Sequence, residues 1–328
     1  MIRRTLMTFI AGGLLCGAAS TSQAFEPAGK IDCIAPANPG GGWDFTCRSV
    51  GRVLGDLDLV DGNVQTINMP GASGGVGFSH VVQKRGGQEN VIVAASTVTT
   101  TGLARGQFPG MDASMVNWVG TLGADYGVIA VAADSPYQSL SDVMKALKDD
   151  PRAVTFTGGT ATGGWDHLKL LMAADEAGVD DLARIAYLGY NGGGEAVTQT
   201  LGGHVDAFTG DISEVISFIE SGDLRPLAIL SEERLPGKLH QWPTAREQGI
   251  DTIAPNWRGF YVPAEISGDA YTWWVDTIDT LYASDEWKSV MTQNGLMPFE
   301  MHGEAFTTFV NDQIAQIADI SRQIGLSQ

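Results

Sequence analysis

The distribution of apolar and polar residues along the chain predicts short buried strands that alternate with helices. Apolar runs at 31–35 and 64–69 are each followed by a glycine-rich turn and then by a helical pattern, at 44–54 and 76–84. A third apolar run, 90–95, leads into a segment of serines and threonines. Because strands separated by helices pair in parallel, this alternation predicts a parallel sheet with helices on its faces.

The same alternation continues after residue 126 and predicts a second sheet. Its strands are expected at 128–132, 154–157, 184–188, 205–208 and 227–230, and its helices at 140–148, 165–177, 195–201 and 215–220.

Beyond residue 242 the pattern changes again. One strand, 257–262, is followed by three helices, 271–283, 286–293 and 304–323, and the last of them keeps a helical period of apolar residues. No linker rich in proline and serine separates two self-contained halves. We therefore expect two lobes, 25–126 plus 251–328 and 127–250, with the chain leaving the first near Tyr126 and returning near Trp257.

The first 24 residues have the composition of a secretory signal peptide. Two early arginines precede an apolar run, 6–19, that is too short to span a bilayer, and Ser22-Gln23-Ala24 matches a small-x-small cleavage pattern. We expect export to the periplasm with cleavage near Ala24. A lipoprotein anchor on Cys16 is the alternative, but Leu15 stands where such processing sites have a small residue.

Composition and charge narrow the classes of function. Hydrophobic residues make up 44% of the 328 residues, charged residues 18%, and the formal net charge is −18. These values are typical of a globular protein that can bury full cores, and they exclude a disordered or polytopic membrane protein. Because an acidic surface repels phosphate groups, nucleic acid and anionic lipid surfaces are not expected partners.

Two cysteines, Cys33 and Cys47, remain after the expected cleavage. Cys33 lies in a predicted strand and Cys47 in the first turn of the helix that follows it. An oxidising compartment favours the pairing of an even set of cysteines. We expect a disulfide between them, and two buried thiols are the alternative.

Four glycine-rich loops lie between predicted strands and helices, at 39–44, 70–77, 158–166 and 189–195. Free N–H groups at a helix N-terminus bind anions, and glycine lets a ligand approach the backbone closely. One such loop by itself is usually only a tight turn, but open α/β sheets bind ligands at the carboxyl ends of their strands. The loops predict an anion site of neutral donors, because the overall charge opposes an anion.

Hydroxyl side chains after the third predicted strand are further candidate donors. These are Ser96, Thr97, Thr99 and Thr100. Helix N-capping is the alternative role for each of them.

One short sequence occurs twice in the same context. Gly41-Gly42-Trp43-Asp44 and Gly163-Gly164-Trp165-Asp166 each lie between a predicted strand and a predicted helix, with the aspartate at an N-cap position. A match of this length can arise by chance, but the shared context suggests two loops that face each other across a cleft.

Sequence motifs for nucleotides and metals are absent. Neither Gly-x-Gly-x-x-Gly nor Gly-x-x-x-x-Gly-Lys-Ser/Thr occurs, and the five histidines are scattered without His-Glu-x-x-His or Cys-x-x-Cys. We therefore expect neither a cofactor nor a bound metal.

The segment Gly71-Ala72-Ser73-Gly74-Gly75 matches the Gly-x-Ser-x-Gly of a hydrolase nucleophile elbow, between a predicted strand and a predicted helix. Such an enzyme also needs an acid and then a histidine, and the downstream candidates, Asp211 with His240 or His302, belong to no motif of their own. A secreted serine hydrolase with Ser73 as its nucleophile is therefore the alternative function. An anion-binding loop fits the same glycines.

Taken in order, the loops resemble those of a known family. Residues 33–44 (CIAPANPGGGWD), 68–75 (NMPGASGG) and 157–167 (TGGTATGGWDH) resemble the first three loops of the substrate-binding proteins of tripartite tricarboxylate transporters, the Bug or TctC-type family. Segments 192–196, 202–206 and 243–249 continue the order, so the resemblance covers almost the whole mature chain. The two cysteines around the first loop make the chain most similar to the tricarboxylate-binding branch.

The resemblance implies an α/β, two-lobed periplasmic binding protein fold (type II-like), with a ligand cleft between two parallel or mixed sheets flanked by helices. It also implies that the first two loops hold a ligand carboxylate, partly through water, and that the second lobe completes the site. With Thr97 added from the hydroxyl segment, the predicted ligand-binding residues are Asn38, Gly41, Gly42, Trp43, Asp44, Gly71, Ala72, Ser73, Gly74, Thr97, Thr160, Thr162, His167 and Asp211.

We therefore expect a monomeric, non-enzymatic periplasmic receptor that captures a tricarboxylate such as citrate, or a dicarboxylate. It would deliver this ligand to the membrane components of a tripartite tricarboxylate transporter. A receptor used for sensing rather than transport is a further alternative.

Overall fold

The structure, a computed structural model, describes Phe25, Pro27 and residues 29–39, 42–190 and 193–326. The expected signal peptide and Gly41 of the predicted site lie outside the described residues. The strands are β1 (Ile31–Ala35), β2 (Val64–Asn68), β3 (Val91–Ser96), β4 (Val116–Ala132), β5 (Thr155–Gly158), β6 (Ala186–Gly189), β7 (Ala207–Asp211), β8 (Leu224–Ile229) and β9 (Pro255–Pro263). The helices are α1 (Gly42–Asp56), α2 (Gly75–Lys84), α3 (Thr97–Ala104), α4 (Leu140–Asp149), α5 (Trp165–Glu176), α6 (Gly193–Leu201), α7 (Ile212–Glu220), α8 (Gly268–Ala283), α9 (Asp285–Gln293) and α10 (Gly303–Gln323).

The strands form a mixed sheet in the order β2-β1-β3-β9-β4-β7-β5-β6, with β8 paired to β4. In its first half, β1 is parallel to β2 and β3, and β9 runs antiparallel to β3 and β4. In its second half, β5 is parallel to β6 and β7, while β7 and β8 run antiparallel to β4. This arrangement confirms the predicted α/β class, with parallel and mixed sheets flanked by helices.

One long strand, β4, belongs to both halves of the sheet. It pairs with β9 over 116–126 and with β7 and β8 over 127–132. The apolar pattern predicts only the second part, because glycines interrupt the first. The register with β9 shifts just before Gly120 and again just before Gly123, so these glycines mark irregularities inside a strand and not turns.

The serine and threonine segment after β3 forms the helix α3, which the apolar pattern does not predict. The Ser96 hydroxyl accepts a hydrogen bond from the Val98 N–H at 3.2 Å, and the Thr99 hydroxyl accepts one from the Ser96 N–H at 3.3 Å. Ser96 is the N-cap of α3. The N-capping alternative therefore holds for Ser96 and Thr99.

Cys33 of β1 and Cys47 of α1 are joined by a disulfide, with their Cα atoms 5.7 Å apart. Both are fully buried in a core shared by the first half of the sheet and helices α1, α8 and α9. The bond joins α1 to β1, the strand before it. It therefore fixes the two elements between which the first glycine-rich loop runs.

No helix in the described part of the chain has both the length and the apolar composition to cross a bilayer.

Candidate functional site

A cavity of about 290 Å³ lies between the two halves of the sheet. Residues that follow β1, β3, β5 and β7 line it, together with two residues of β9. Helices α1, α3, α5 and α7 begin at these positions, so the positive ends of four helix dipoles surround it. The lining residues are Ala37, Gly42, Trp43, Ser96, Val98, Gly159, Thr160, Trp165, Asp166, Asp211, Glu214, Asn256 and Arg258.

The repeated Gly-Gly-Trp-Asp sequence places one tryptophan from each half at this cavity. Trp43 lies in the first turn of α1 and Trp165 is the first residue of α5. They are 9% and 3% exposed, and neither indole N–H has a hydrogen-bond partner among the described residues. A buried donor without an acceptor costs about 1–3 kcal/mol. An acceptor bound in the cavity that both side chains line would remove this cost.

Arg258 of β9 adds a positive charge to the cavity wall. The side chain is half-buried and makes no hydrogen bond or ion pair with any residue that the structure describes. Its Cζ lies 3.4 Å from the position that a Cβ on Gly42 would occupy, so the guanidinium is beside the N-terminus of α1. The cavity wall therefore contains a charged donor, which the expectation of neutral donors alone does not include. In the sequence, Arg258 is marked only by being the single charged residue in the apolar run 257–262.

A buried ion-pair network contributes Asp166 and Asp211 to the wall. Lys169 of α5 is fully buried, and its Nζ lies 3.0 Å from Asp166 Oδ1 and 2.5 Å from Asp211 Oδ1. The two carboxylates raise the pKa of Lys169 against the opposing effect of burial. Lys169 is therefore charged at every physiological pH, and it holds the ends of β7 and α5 together.

Two further carboxyl groups near this network have raised pKa values. Burial, followed by the charge of Asp211, raises the pKa of Asp125 to about 7. The same causes in the same order raise the pKa of Glu214 to about 7. Asp125 is buried in β4, where the Ser213 hydroxyl donates to Oδ2. Glu214 lines the cavity, and its Oε2 accepts from the Asp211 N–H at 3.0 Å.

Asn256 joins this network to the cavity. Its Nδ2 donates to Asp211 Oδ2 at 2.6 Å, and this contact fixes the orientation of the amide because the reverse orientation would oppose two oxygens. The side chain is buried, with 7% exposure, and Oδ1 has no partner among the described residues. The site therefore contains an unpaired acceptor as well as unpaired donors.

Four of the predicted ligand-binding residues line the cavity: Gly42, Trp43, Thr160 and Asp211. Thr160 has a structural role there too, because its hydroxyl accepts from the Asp166 N–H at 3.1 Å and its carbonyl accepts from the Tyr187 hydroxyl at 2.7 Å.

The predicted second loop does not line this cavity. Gly71, Ala72 and Ser73 are exposed, and Ala72 lines a separate cavity of about 440 Å³ beside α2. Gly74 is buried under Trp43, where a Cβ would stand 3.1 Å from Trp43 Cη2. The loop thus positions the indole and does not supply the Ser73 hydroxyl to the cavity.

Three other predicted residues are also away from the cavity wall. The Thr97 hydroxyl donates to the Pro255 carbonyl at 2.8 Å and ties α3 to β9. Thr162 is exposed. His167 Nδ1 accepts from the Gly163 N–H at 3.0 Å, and burial, with a contribution from Arg105, lowers the pKa of His167 to about 4. His167 is therefore uncharged at neutral pH, and its Nδ1 is bonded within its own loop.

Asn38 and Asp44 complete the predicted set. Asn38 is exposed and does not line the cavity. Asp44 is buried, with Oδ1 accepting from Asn68 Nδ2 at 2.9 Å and Oδ2 accepting from Arg48 Nε at 2.9 Å. Asp44 thus secures the start of α1 against β2 and does not touch the cavity.

Potential metal ligands meet once in the described part of the chain, at Asp279, Glu300 and His302, whose ligand atoms lie within 4.8 Å of one another. Both carboxylates are exposed, and His302 Nδ1 lies 3.2 Å from Asp279 Oδ1. Three side chains near the surface do not make a closed coordination shell.

Known proteins resemble this chain in sequence and in fold. Residues 59–326 match the family described as "Tripartite tricarboxylate transporter family receptor". Protein BugT of Bordetella pertussis is 26% identical over 312 residues, which are 94% of this chain and 93% of that protein. A TctC solute binding protein from Polaromonas superposes with a TM-score of 0.77 at 23% identity, over 90% of this chain and 99% of that one. The R. palustris protein Rpa4515 with adipate superposes with a TM-score of 0.72 at 20% identity, over 91% and 98%.

The fold matches those of periplasmic binding proteins. The chain belongs to the tripartite tricarboxylate transporter receptor family, because the family match spans most of its length. Members of this family are receptors that bind small carboxylates and work with membrane transporter components, so the protein is a periplasmic receptor and not an enzyme. The hydrolase alternative at Ser73 is therefore wrong.

Proposed function

We propose that this receptor captures a small organic carboxylate in the cavity and delivers it to the membrane components of a tripartite tricarboxylate-type transporter. The observation that carries the proposal is the set of donors without acceptors: the Arg258 guanidinium and the indole N–H groups of Trp43 and Trp165. Arginine binds a carboxylate through two parallel hydrogen bonds, and charge-assisted bonds of this kind are about twice as strong as neutral ones.

Among carboxylates, the cavity favours a dicarboxylate over a tricarboxylate such as citrate. Asp166, Asp211 and Glu214 place three acidic groups on its wall, and the positive groups beside them are Arg258 and the buried Lys169. Like charges 4 Å apart repel by about 4 kcal/mol at the effective dielectric constant of about 20 that suits protein sites. Each additional ligand carboxylate therefore weakens binding. The adipate in the similar R. palustris structure is a dicarboxylate.

We also propose that residues 25–126 plus 251–328 and residues 127–250 are lobes that close over the ligand as a Venus flytrap. The chain passes between them in β4 and again just before β9. At this crossing the Gly127 N–H donates to the Ala254 carbonyl at 3.0 Å, and the Leu230 N–H donates to the Gly127 carbonyl at 2.8 Å. The receptor would act as a monomer, after cleavage of a signal peptide near Ala24.

Thermal unfolding of the mature protein with a panel of mono-, di- and tricarboxylates tests the proposal. A ligand at about 100 times its Kd adds about 2.7 kcal/mol to the free energy of unfolding and raises the Tm accordingly. We expect such a rise with at least one dicarboxylate and a smaller one with citrate. A Tm that no organic acid changes would contradict carboxylate capture.

A further inference from the structure

The cavity of about 440 Å³ beside α2 is larger than the one between the two halves of the sheet. Its wall comes mainly from α2 and from the segment 107–111, which follows α3. Among the described residues, none lines both cavities. The volume falls in the range of about 300–1,000 Å³ that is typical of small-molecule sites. The receptor therefore has room for a second ligand at a place apart from the first.

One wall of this second cavity is apolar and is held in place by packing. Phe108 is 3% exposed, and its ring centroid lies 5.6 Å from that of Phe78. A Cβ on Gly75 would lie 2.8 Å from Phe108 Cδ1, and a Cβ on Gly102 would lie 2.6 Å from Cε1, so α2 and α3 both approach this ring through glycine. The Met111 N–H donates to the Phe108 carbonyl at 3.0 Å. These contacts make the wall a part of the packed structure.

Lys84, in the last turn of α2, adds a positive charge to the same cavity. It makes no hydrogen bond or ion pair with any residue that the structure describes. No described aspartate or glutamate lines the cavity, although acidic residues outnumber basic ones by 38 to 20 in the whole chain. Val76, His80 and Lys84 follow one another at intervals of four residues and so share one face of α2. Val76 is 46% exposed, so this face offers an open apolar surface as well as the charge.

We propose that this cavity binds an amphipathic monocarboxylate, an acid with one charged group and an apolar chain, as a second ligand of the receptor. The carboxylate pairs with Lys84, and the chain lies against Val76, Phe108 and Met111. A second carboxylate at the far end of the chain would meet the apolar wall without a partner, and an unpaired charge is costly to bury. The site therefore selects a monocarboxylate, whereas the cavity between the two halves of the sheet is proposed for a dicarboxylate.

Isothermal titration calorimetry of the mature protein with butyrate, hexanoate and octanoate tests this inference. These acids differ only in the length of the apolar chain. We expect the affinity to rise about fourfold for each added methylene, the equivalent of about 0.8 kcal/mol. Octanamide, which has the same chain without the charge, should bind about three- to tenfold more weakly than octanoate.

Two substitutions at exposed positions of the wall locate the binding in this cavity. Lys84→Gln removes the positive charge, and Gln107→Glu adds a negative charge with little change in shape. Each should weaken octanoate binding about three- to tenfold and leave octanamide binding unchanged. Lys148→Gln, an exposed lysine in the last turn of α4, is the matched control and should bind octanoate as the wild type does. Circular dichroism spectra that match the wild type would show that the variants fold.

Any one of three results would contradict the second site: an affinity that does not change with chain length, octanamide that binds as tightly as octanoate, or wild-type octanoate affinity in both Lys84→Gln and Gln107→Glu. The short dicarboxylates succinate, glutarate and adipate separate this inference from the proposed function. Lys84→Gln should bind them as the wild type does, and a parallel loss would show that both kinds of acid use one site. If short dicarboxylates bind and octanoate does not, the second site is wrong while carboxylate capture stands.

Discussion

Trp43 and Trp165 occupy equivalent positions at the starts of two helices, and both line the same cavity with buried indole N–H groups that no described residue accepts. One belongs to the first half of the sheet and the other to the second. A buried donor without an acceptor is costly, and the carboxylate that we propose for this cavity is an acceptor for both indoles.

The first prediction follows from this relationship. Trp43→Phe or Trp165→Phe keeps an aromatic ring and removes only the N–H donor and part of the indole. We expect each to weaken ligand affinity about ten- to hundredfold, the equivalent of about 1.5–3 kcal/mol for a bond to a charged group. The unliganded protein should lose less stability than a Trp→Phe variant that breaks an existing indole hydrogen bond, because the lost donor had no acceptor and the loss of ring volume is common to both.

Trp287→Phe is the matched control for these substitutions. Its Nε1 donates to the Leu122 carbonyl at 2.9 Å, away from the cavity. This variant should lose about 1 kcal/mol of stability or more, with ligand affinity unchanged. Titration calorimetry and thermal unfolding measure both quantities. Equal affinities in the wild type and in both cavity variants would remove the indoles from the site.

The second prediction concerns the disulfide. Joining Cys33 to Cys47 restricts the unfolded chain, and for a loop of this length the chain-entropy account gives about 3 kcal/mol. The double variant Cys33→Ala/Cys47→Ala should therefore unfold at lower denaturant concentration. Urea unfolding of wild type and variant, with and without reductant, measures the difference. If reductant lowers the midpoint of the wild type no more than that of the double variant, the bond makes no such contribution.

The third prediction concerns the pH dependence of stability. The pKa of Asp125 rises from 3.8 to about 7 on folding, chiefly through burial and then through the charge of Asp211. Between these pH values the native state holds a proton that the unfolded state has lost, so this group makes the free energy of unfolding fall as pH rises. The loss amounts to about 1.4 kcal/mol for each unit of difference in pKa.

Asp125→Asn isolates this contribution, because an asparagine keeps the shape and can bond Ser213. The variant should match the wild type near pH 4 and be more stable than the wild type at pH 8. A slope should remain in the variant, since burial also raises the pKa of Glu214 to about 7. Asp134→Asn, at an exposed position, is the control. A stability difference that is the same at both pH values would show that charge burial at Asp125 is not the cause.

Much of the fold follows from local pattern. The first predicted strand coincides with β1, and the last predicted helix, 304–323, differs from α10 by one residue, because both have a clear apolar period. The apolar pattern does not reveal the first part of β4, because its glycines lie at β-bulges. The helix α3 does not show either, because its first turns are formed by threonines with hydroxyls bonded back to the backbone.

The sequence predicts residues of the cavity wall only where they follow the ends of parallel strands. Gly42, Trp43, Thr160 and Asp211 are such positions, and the repeated sequence also indicated Trp165 and Asp166. Arg258 and Asn256 reach the cavity from β9, an antiparallel strand whose place between β3 and β4 depends on tertiary pairing.

The second glycine-rich loop lies apart from the cavity between the two halves of the sheet. Its glycines matched an anion-binding loop, but Gly74 packs against Trp43 and Ser73 is exposed. Local sequence does not distinguish a loop that lines a cavity from one that packs behind a residue lining it.

Calorimetric titration of Arg258→Gln tests carboxylate capture most directly. Glutamine retains a polar side chain but removes the charge and the paired donors, so the best dicarboxylate found for the wild type should bind at least tenfold more weakly. Arg152→Gln, at an exposed position, should bind as the wild type does. An Arg258→Gln protein with wild-type affinity for that acid would contradict the assignment of this cavity as the place where the carboxylate binds.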